Sequence, residues 1–180
     1  MVDQAAPELT IRDAHEGDGA ACAEIYRPFV IGTAVSFETR PPTAEEMAGR
    51  IREAMRDHAW LVAKVGGEVV GYAYARPFAA REAYRWSCET SIYLLPGRRR
   101  RGLGRSLYGA LLARLADRGY RRAVGKMTLP NEASVGLHAA LGFEPVGVHR
   151  RIGFKNGAWY DVAIAQRDLA TGDDPPAEPH

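Results

Sequence analysis

Two cysteines, Cys22 and Cys88, are all that this 180-residue sequence contains. One disulfide is the most they can form, and neither a disulfide framework nor a cysteine metal cluster can be built from them. No apolar run is long enough to span a bilayer, and the first residues lack the apolar core of a secretion signal. An excess of one charge is also missing. Lys and Arg number 24 against 22 Asp and Glu, a formal net charge of +2, so the total makes no electrostatic case for nucleic acid. A Gly-x-x-x-x-Gly-Lys-Ser/Thr loop is absent, as is the last glycine of a Gly-x-Gly-x-x-Gly fingerprint. No internal repeat is present. The expectation is a reduced, cytoplasmic protein with no metal and no membrane or nucleic-acid partner.

What is present suits one globular domain. A hydrophobic fraction of 46% and a charged fraction of 26% are ordinary for a soluble core-forming chain. Residues 1–170 are read as a single domain. Residues 171–180, rich in Pro, Asp and Glu, are read as a disordered tail. Leu9–Arg12 predicts a short strand, and Gly17–Ile31 a helix with Ala21, Ile25 and Phe29 on one face. Thr43 with Glu45 and Glu46 supplies the cap and acidic first turn of a second helix to about Asp57. Trp60–Val65, Gly66-Gly67 and Glu68–Tyr74 read as a hairpin. After a connector at 77–84 come a strand over 85–95, a helix over 104–118 with Leu107, Leu111, Leu112 and Leu115 inward, and a strand over 123–129. A helix over 131–141 and two strands near 145–152 and 159–169 complete the series. This order implies an α/β fold, a mixed sheet with helices on both faces.

The segment most loaded with chemistry joins strand to helix. Ser91-Ile-Tyr-Leu-Leu-Pro-Gly is followed by Arg98 to Arg101 and then by Gly102-Leu-Gly104-Arg105. Backbone N–H groups at a helix N-terminus, with glycines that let a ligand approach, make a site for a pyrophosphate or a similar anion. The four arginines taken alone would equally suit a solvated surface or a nucleic-acid patch. Glu89, inside an apolar strand, reads either as a carboxylate on a solvated face or as a general base whose pKa partial burial would raise. His138, on a helix, would ordinarily be structural or exposed. Asn131 reads as a helix N-cap. Cys88 has no dedicated base and is given no role.

Arg99-x-x-Gly102-x-Gly104 resembles the loop that holds the coenzyme A pyrophosphate in the GNAT superfamily of N-acetyltransferases. Asn131-Glu-Ala-Ser134 with Leu137-His138-Ala-Ala-Leu141-Gly142-Phe143 resembles the second half of that site. Thr33–Glu38, Gly71–Tyr74, Ala80–Tyr84, Glu89–Tyr93, Leu129–Asn131 and Gly153–Asp161 are similar to the phosphinothricin and methionine sulfoximine acetyltransferase subfamily, in order, over about residues 9 to 169. The resemblance implies the acyl-CoA N-acyltransferase fold, with a mostly antiparallel sheet, and acetyl-CoA as co-substrate. It implies direct acetyl transfer to the α-amine of a small amino acid or analogue, and a homodimer.

It also implies roles. Glu89 becomes the base. His138 becomes an acid/base candidate where most of the superfamily has tyrosine, and Tyr108 is a rival proton donor whose plain reading is helix packing. Ile92, Tyr93 and Leu94 would pair through their backbone with the pantetheine arm. Arg99, Arg100, Arg101, Gly102, Leu103, Gly104 and Arg105 would hold the phosphates, and Asn131 the arm. Tyr74, Arg76, Arg81 and Tyr84 cluster around the Pro77 connector, where guanidinium forks and tyrosine hydroxyls suit the acid groups of a substrate or line an ordinary surface loop; of these, Arg81 and Tyr84 match the family's substrate loop. Phe37 would wall the pocket or pack in the core. Arg76, Ala79 and Lys126 depart from the subfamily pattern and leave the substrate open. Trp159 and Asp161 read as structural or as dimer contacts. The competing functions are an acetyltransferase for a peptide, lysine or polyamine, and a non-catalytic module that binds acyl-CoA or nucleic acid.

Overall fold

The structure, a computed structural model, describes residues 8–97, 102–172 and 177–180. Strands and helices alternate as β1 (Leu9–Asp13), α1 (Gly19–Gly32), α2 (Ala44–Asp57), β2 (Trp60–Val65), β3 (Glu68–Pro77), β4 (Ser87–Leu94), α3 (Leu103–Asp117), β5 (Arg122–Thr128), α4 (Glu132–Ala140), β6 (Glu144–Lys155) and β7 (Ala158–Asp168). They form one seven-stranded sheet in the order β1-β2-β3-β4-β5-β7-β6. Every neighbouring pair is antiparallel except β4 and β5.

Strand alternation sends side chains to two cores. Leu61, Ala63, Ala73, Ala75, Cys88 and Ala123 meet Leu103, Leu107, Leu111 and Leu115 of α3. Trp60, Val62 and Tyr72 meet Ile25 and Val30 of α1 and Met47 and Ile51 of α2. The helices therefore lie on both faces, as the element order implies. Each fully buried leucine of α3 contributes roughly 1.5–3 kcal/mol.

Local chemistry sets the element ends. Thr43 Oγ1 accepts from Glu46 N at 3.1 Å, while Thr43 N donates to the Glu46 carboxylate at 2.7 Å, so α2 begins with a capping box. The first helix starts two residues later than the sequence predicts. Glu16–Asp18 form a 3-10 turn instead, in which Asp18 accepts from His15 N and takes both Arg12 guanidinium nitrogens at 2.8 Å. Gly19 then packs against α2, where a Cβ would fall 2.6 Å from the Ala44 carbonyl oxygen.

The β6–β7 hairpin clasps the loop after α1. Lys155 Nζ, buried, donates to the carbonyls of Val30 at 2.7 Å and Ser36 at 2.6 Å. The Phe37 ring lies where a Cβ on Gly153 would be. The outer strand leaves Val146, Val148, Ile152 and Phe154 exposed, with Trp159 beside them. At the other end of the chain, Glu178 pairs with Arg85, the Ala177 carbonyl accepts from Trp86 Nε1, and His180 N donates to the Arg118 carbonyl.

Candidate active site

The β4–β5 pair is the parallel pair of the sheet and has its shortest ladder. Its ladder has four residue pairs, from Ser87↔Arg122 to Thr90↔Gly125. Beyond it β4 stays on β3 as far as Leu94↔Gly71, and β5 stays on β7 as far as Thr128↔Val162. The two strands part after Thr90 and Gly125. Among the described residues, Ile92, Tyr93 and Leu94 thus present a backbone edge with no strand partner on the side of the gap, an edge that an extended ligand can pair with. Ile92 and Leu94 pack toward α3, and Tyr93 packs on Tyr26, Phe29 and Tyr72 of the other core.

Adjacent residues at the end of the ladder serve opposite faces. Glu89 faces the α1/α2 side, where its cross-strand partner is Arg76. Arg76 Nε donates to Glu89 Oε1 at 3.2 Å, and Nη2 bonds the same oxygen. Lys126 Nζ sits 2.7 Å from Oε2. Burial alone would push the Glu89 carboxyl up, but the hydrogen bonds and charges of Lys126 and Arg76 outweigh it and hold the group below its ordinary value. The raised pKa expected from the sequence is therefore corrected. Two cations, neither adjacent to Glu89 in sequence, reverse the sign.

A cavity of about 430 Å³ opens on this face, lined by Glu38, Arg50, His58, Trp60, Tyr74 and Arg76 among others. Tyr74 stacks on Trp60 with ring centroids 4.4 Å apart. Arg50 and Glu38 form a two-pronged ion pair at 2.7 and 3.0 Å, and Tyr26 OH donates to the same carboxylate. Arg50 was given no role by the sequence reading. Its position on α2, facing the sheet, is its only local signal.

Thr90 faces the α3/α4 side. Its Oγ1 is 2.7 Å from Tyr108 OH, which is 3.0 Å from His138 Nε2. His138 Nδ1 lies 2.8 Å from the Ser134 carbonyl. A carbonyl only accepts, so Nδ1 carries the proton and Nε2 accepts from Tyr108 OH. Burial pushes the imidazole down, and the Ser134 carbonyl only partly offsets this. Burial pushes the Tyr108 phenol well up, opposed by Thr90. His138 is therefore a neutral acceptor in this arrangement, and the two rival proton donors are one hydrogen-bonded chain. Gly125 makes room for it, because a Cβ there would overlap the His138 ring, within 2.6 Å of Cδ2.

Helix α3 is preceded by its N-cap Gly102, whose φ of 84° is left-handed. No acidic residue lies in the first turn, and the N–H groups of Leu103, Gly104 and Arg105 precede the first intrahelical bond, Ser106 N to Gly102 O. The Leu103 side chain is core, and Arg105 is exposed. Gly104 lies under Leu94 and Leu137, which a Cβ would approach at 3.3 and 3.5 Å. Arg99, Arg100 and Arg101 lie outside the described residues. Asn131 caps α4, with Oδ1 accepting from Ser134 N at 3.1 Å.

Three expected substrate residues fall elsewhere. Arg81 and Tyr84 line a second hollow of about 340 Å³ with Arg85 and Tyr120, next to the first cavity but not facing Glu89. Phe37 rests on Gly153 near Tyr160, exposed and part of neither core. Cys22 and Cys88 are free and buried, and burial pushes the Cys88 thiol up to about 12, which makes it a poor nucleophile.

A family model described as the acetyltransferase (GNAT) family matches residues 21–143. Phosphinothricin N-acetyltransferase of Streptomyces viridochromogenes is 39% identical over 161 residues, covering 89% of this chain and 88% of the relative. L-methionine sulfoximine/L-methionine sulfone acetyltransferase of Salmonella typhimurium is 32% identical over 162 residues, covering 89% and 95%. The crystal structure of a GNAT phosphinothricin acetyltransferase from Sinorhizobium meliloti in complex with AcCoA is similar at a TM-score of 0.88 and 38% identity, covering 96% of this chain and 93% of that one. Sequence family, relatives and fold agree with the motifs around the parted strands, and the chain belongs to the GNAT family of N-acetyltransferases.

Proposed function

We propose that the protein transfers the acetyl group of acetyl-CoA to the α-amine of a small amino acid or analogue that carries an acid group, of the phosphinothricin or methionine sulfoximine kind. The observation that carries this reading is the two-sided end of the β4–β5 ladder. A carboxylate with two cations stands on one face, and the Thr90–Tyr108–His138 chain on the other. The acetyl-CoA arm runs along the free edge of Ile92, Tyr93 and Leu94, with its phosphates at the N-terminus of α3. Glu89 takes a proton from the acceptor ammonium, directly or through water. The amine attacks the thioester carbon, and backbone N–H groups along the gap stabilise the oxyanion. As the C–S bond breaks, the Tyr108 hydroxyl turns from His138 Nε2 and gives its proton to the thiolate, and the phenolate regains one from solvent as the products leave.

Polyamine acceptors suit the cavity less well, since its carboxylates Glu38 and Asp57, like Glu89 beside it, already hold cations, which leaves Glu53 as the cavity carboxylate with no ion pair among the described residues. A homodimer belongs to the same proposal, with the exposed apolar side chains of β6 as the surface a second copy would cover. A cytoplasmic setting suits two free buried thiols. The test is thiol release from acetyl-CoA with phosphinothricin, methionine sulfoximine, common amino acids, polyamines and short peptides. Turnover of the first two supports the reading. Turnover of peptides or polyamines alone overturns the substrate, and no turnover with tight acetyl-CoA binding overturns the enzyme.

A further inference from the structure

Glu89 is not free to act as a base in this arrangement. Both of its oxygens are engaged in charge-assisted bonds, Oε1 by Arg76 and Oε2 by Lys126. The exposure of the three groups is unequal. The Glu89 side chain is 7% exposed, against 58% for Arg76 and 41% for Lys126. The two cations face solvent and the carboxylate lies behind them. Arg76 lines the cavity on this face. Among the described residues, Lys126 and Arg76 are the charged groups that act most strongly on Glu89. Tyr74, on the same face of β3, is neutral, and across the cavity Arg50 is satisfied by Glu38.

We infer that Arg76 and Lys126 form a two-cation cradle which Glu89 fills in the free protein and the acid group of the acceptor takes over on binding, so that the acceptor releases its own base. This rests on the proposed acetyl transfer and names the group that selects the acceptor. The cluster of one carboxylate and two cations has a net charge of +1, so an incoming ammonium without an acid group meets repulsion. The cavity is lined by Arg76, with Glu53 and Asp57 also in its wall and Lys126 outside it; an acceptor carboxylate there meets Arg76 first, reaches Lys126 next, and exchanges for Glu89 at similar cost, because each charge-assisted bond lost is replaced by another. Glu89 then has an oxygen free for the amine proton. Lys126 is a positioning and specificity residue in this scheme. Both cations are positions where the chain departs from the subfamily pattern.

The test compares methionine sulfoximine with its carboxamide on the wild type, Lys126→Met, Arg76→Met and Lys126→Arg, with acetyl-CoA binding as the control for folding. In the wild type, kcat/KM favours the acid. Lys126→Met and Arg76→Met should each lower that preference about tenfold or more, raising KM for the acid and raising kcat for the carboxamide. Lys126→Arg, which keeps the charge, should retain the preference. The acid limb of kcat/KM should move to higher pH in Lys126→Met, since Glu89 loses a partner that stabilises its charged form. An unchanged preference and an unmoved limb in folded Met variants would overturn the inference while leaving the acetyl transfer intact. A wild type that acetylates nothing in the panel would overturn both.

Discussion

Gly125→Ala is the substitution that isolates the proton chain from the rest of the site. A methyl group there would come within 2.6 Å of His138 Cδ2. Ordinary carbon contacts need about 3.5 Å, so the ring must move by roughly 1 Å. The Tyr108 OH to Nε2 bond is 3.0 Å long, and it fails once stretched by about 0.5 Å. Overpacking in a filled core costs about 1–3 kcal/mol. Leaving the buried Tyr108 hydroxyl or His138 nitrogen without its partner adds about 1–3 kcal/mol. Replacing glycine in a strand returns about 0.5–1 kcal/mol. The net expectation is a loss of about 1–5.5 kcal/mol, read as a lower urea midpoint at unchanged slope. In the same variant kcat should fall about 100-fold if the chain delivers the thiolate proton. Gly125→Ala combined with His138→Ala should be more stable than the two single losses add up to, because the new methyl then fills space the imidazole vacated. Unchanged midpoint and kcat in Gly125→Ala, or strict additivity in the pair, would refute the reasoning.

Glu89→Gln should lower kcat by about 10²–10⁴-fold while acetyl-CoA binding, measured by calorimetry, stays within twofold of wild type (about 0.4 kcal/mol). Glu89 also makes stability depend on pH. Its folded pKa lies below the ordinary value of 4.5, so its contribution is present above that value and is lost as pH falls from there through the folded pKa. Urea midpoints taken from about pH 6 to about pH 3 should fall less steeply for Glu89→Gln than for the wild type. Lys155→Met should cost about 2–4 kcal/mol, because it strips the donor from the buried Val30 and Ser36 carbonyls; a midpoint within about 0.5 kcal/mol of wild type would remove that clasp from the account of stability.

The sequence carries most of the fold because its periods are local. The leucines at 107, 111, 112 and 115 announce α3, the Thr43–Glu46 box starts α2, and the two glycines at 66 and 67 turn the first hairpin. The division of labour between Glu89 and Thr90 also follows from strand alternation. The partners of Glu89 do not. Lys126 reaches it only through a parallel pairing that α3 crosses, and Arg76 only through the antiparallel register of β3 on β4. A burial argument applied to Glu89 alone therefore misjudged its pKa. The fit of Gly125 under His138 spans 13 residues and the ion pair of Arg50 with Glu38 spans 12, but each depends on how a helix folds back on the segment before it, which no local period records.

The strand order has a consequence for how the chain is made. The last strand, β7, lies between β5 and β6, so the β5 edge stays open until the final strand leaves the ribosome. At 5–20 residues per second, the roughly 40 residues from Thr128 to Asp168 take about 2–8 s to synthesise. During that time a nascent chain exposes the strand that carries Lys126 and Gly125, with its apolar Val124 and Met127. The same half of the sheet that borders the β4–β5 gap is thus the half most open to mispairing during synthesis. Chaperone capture or stalling-dependent aggregation should concentrate in nascent chains that end between β5 and β7.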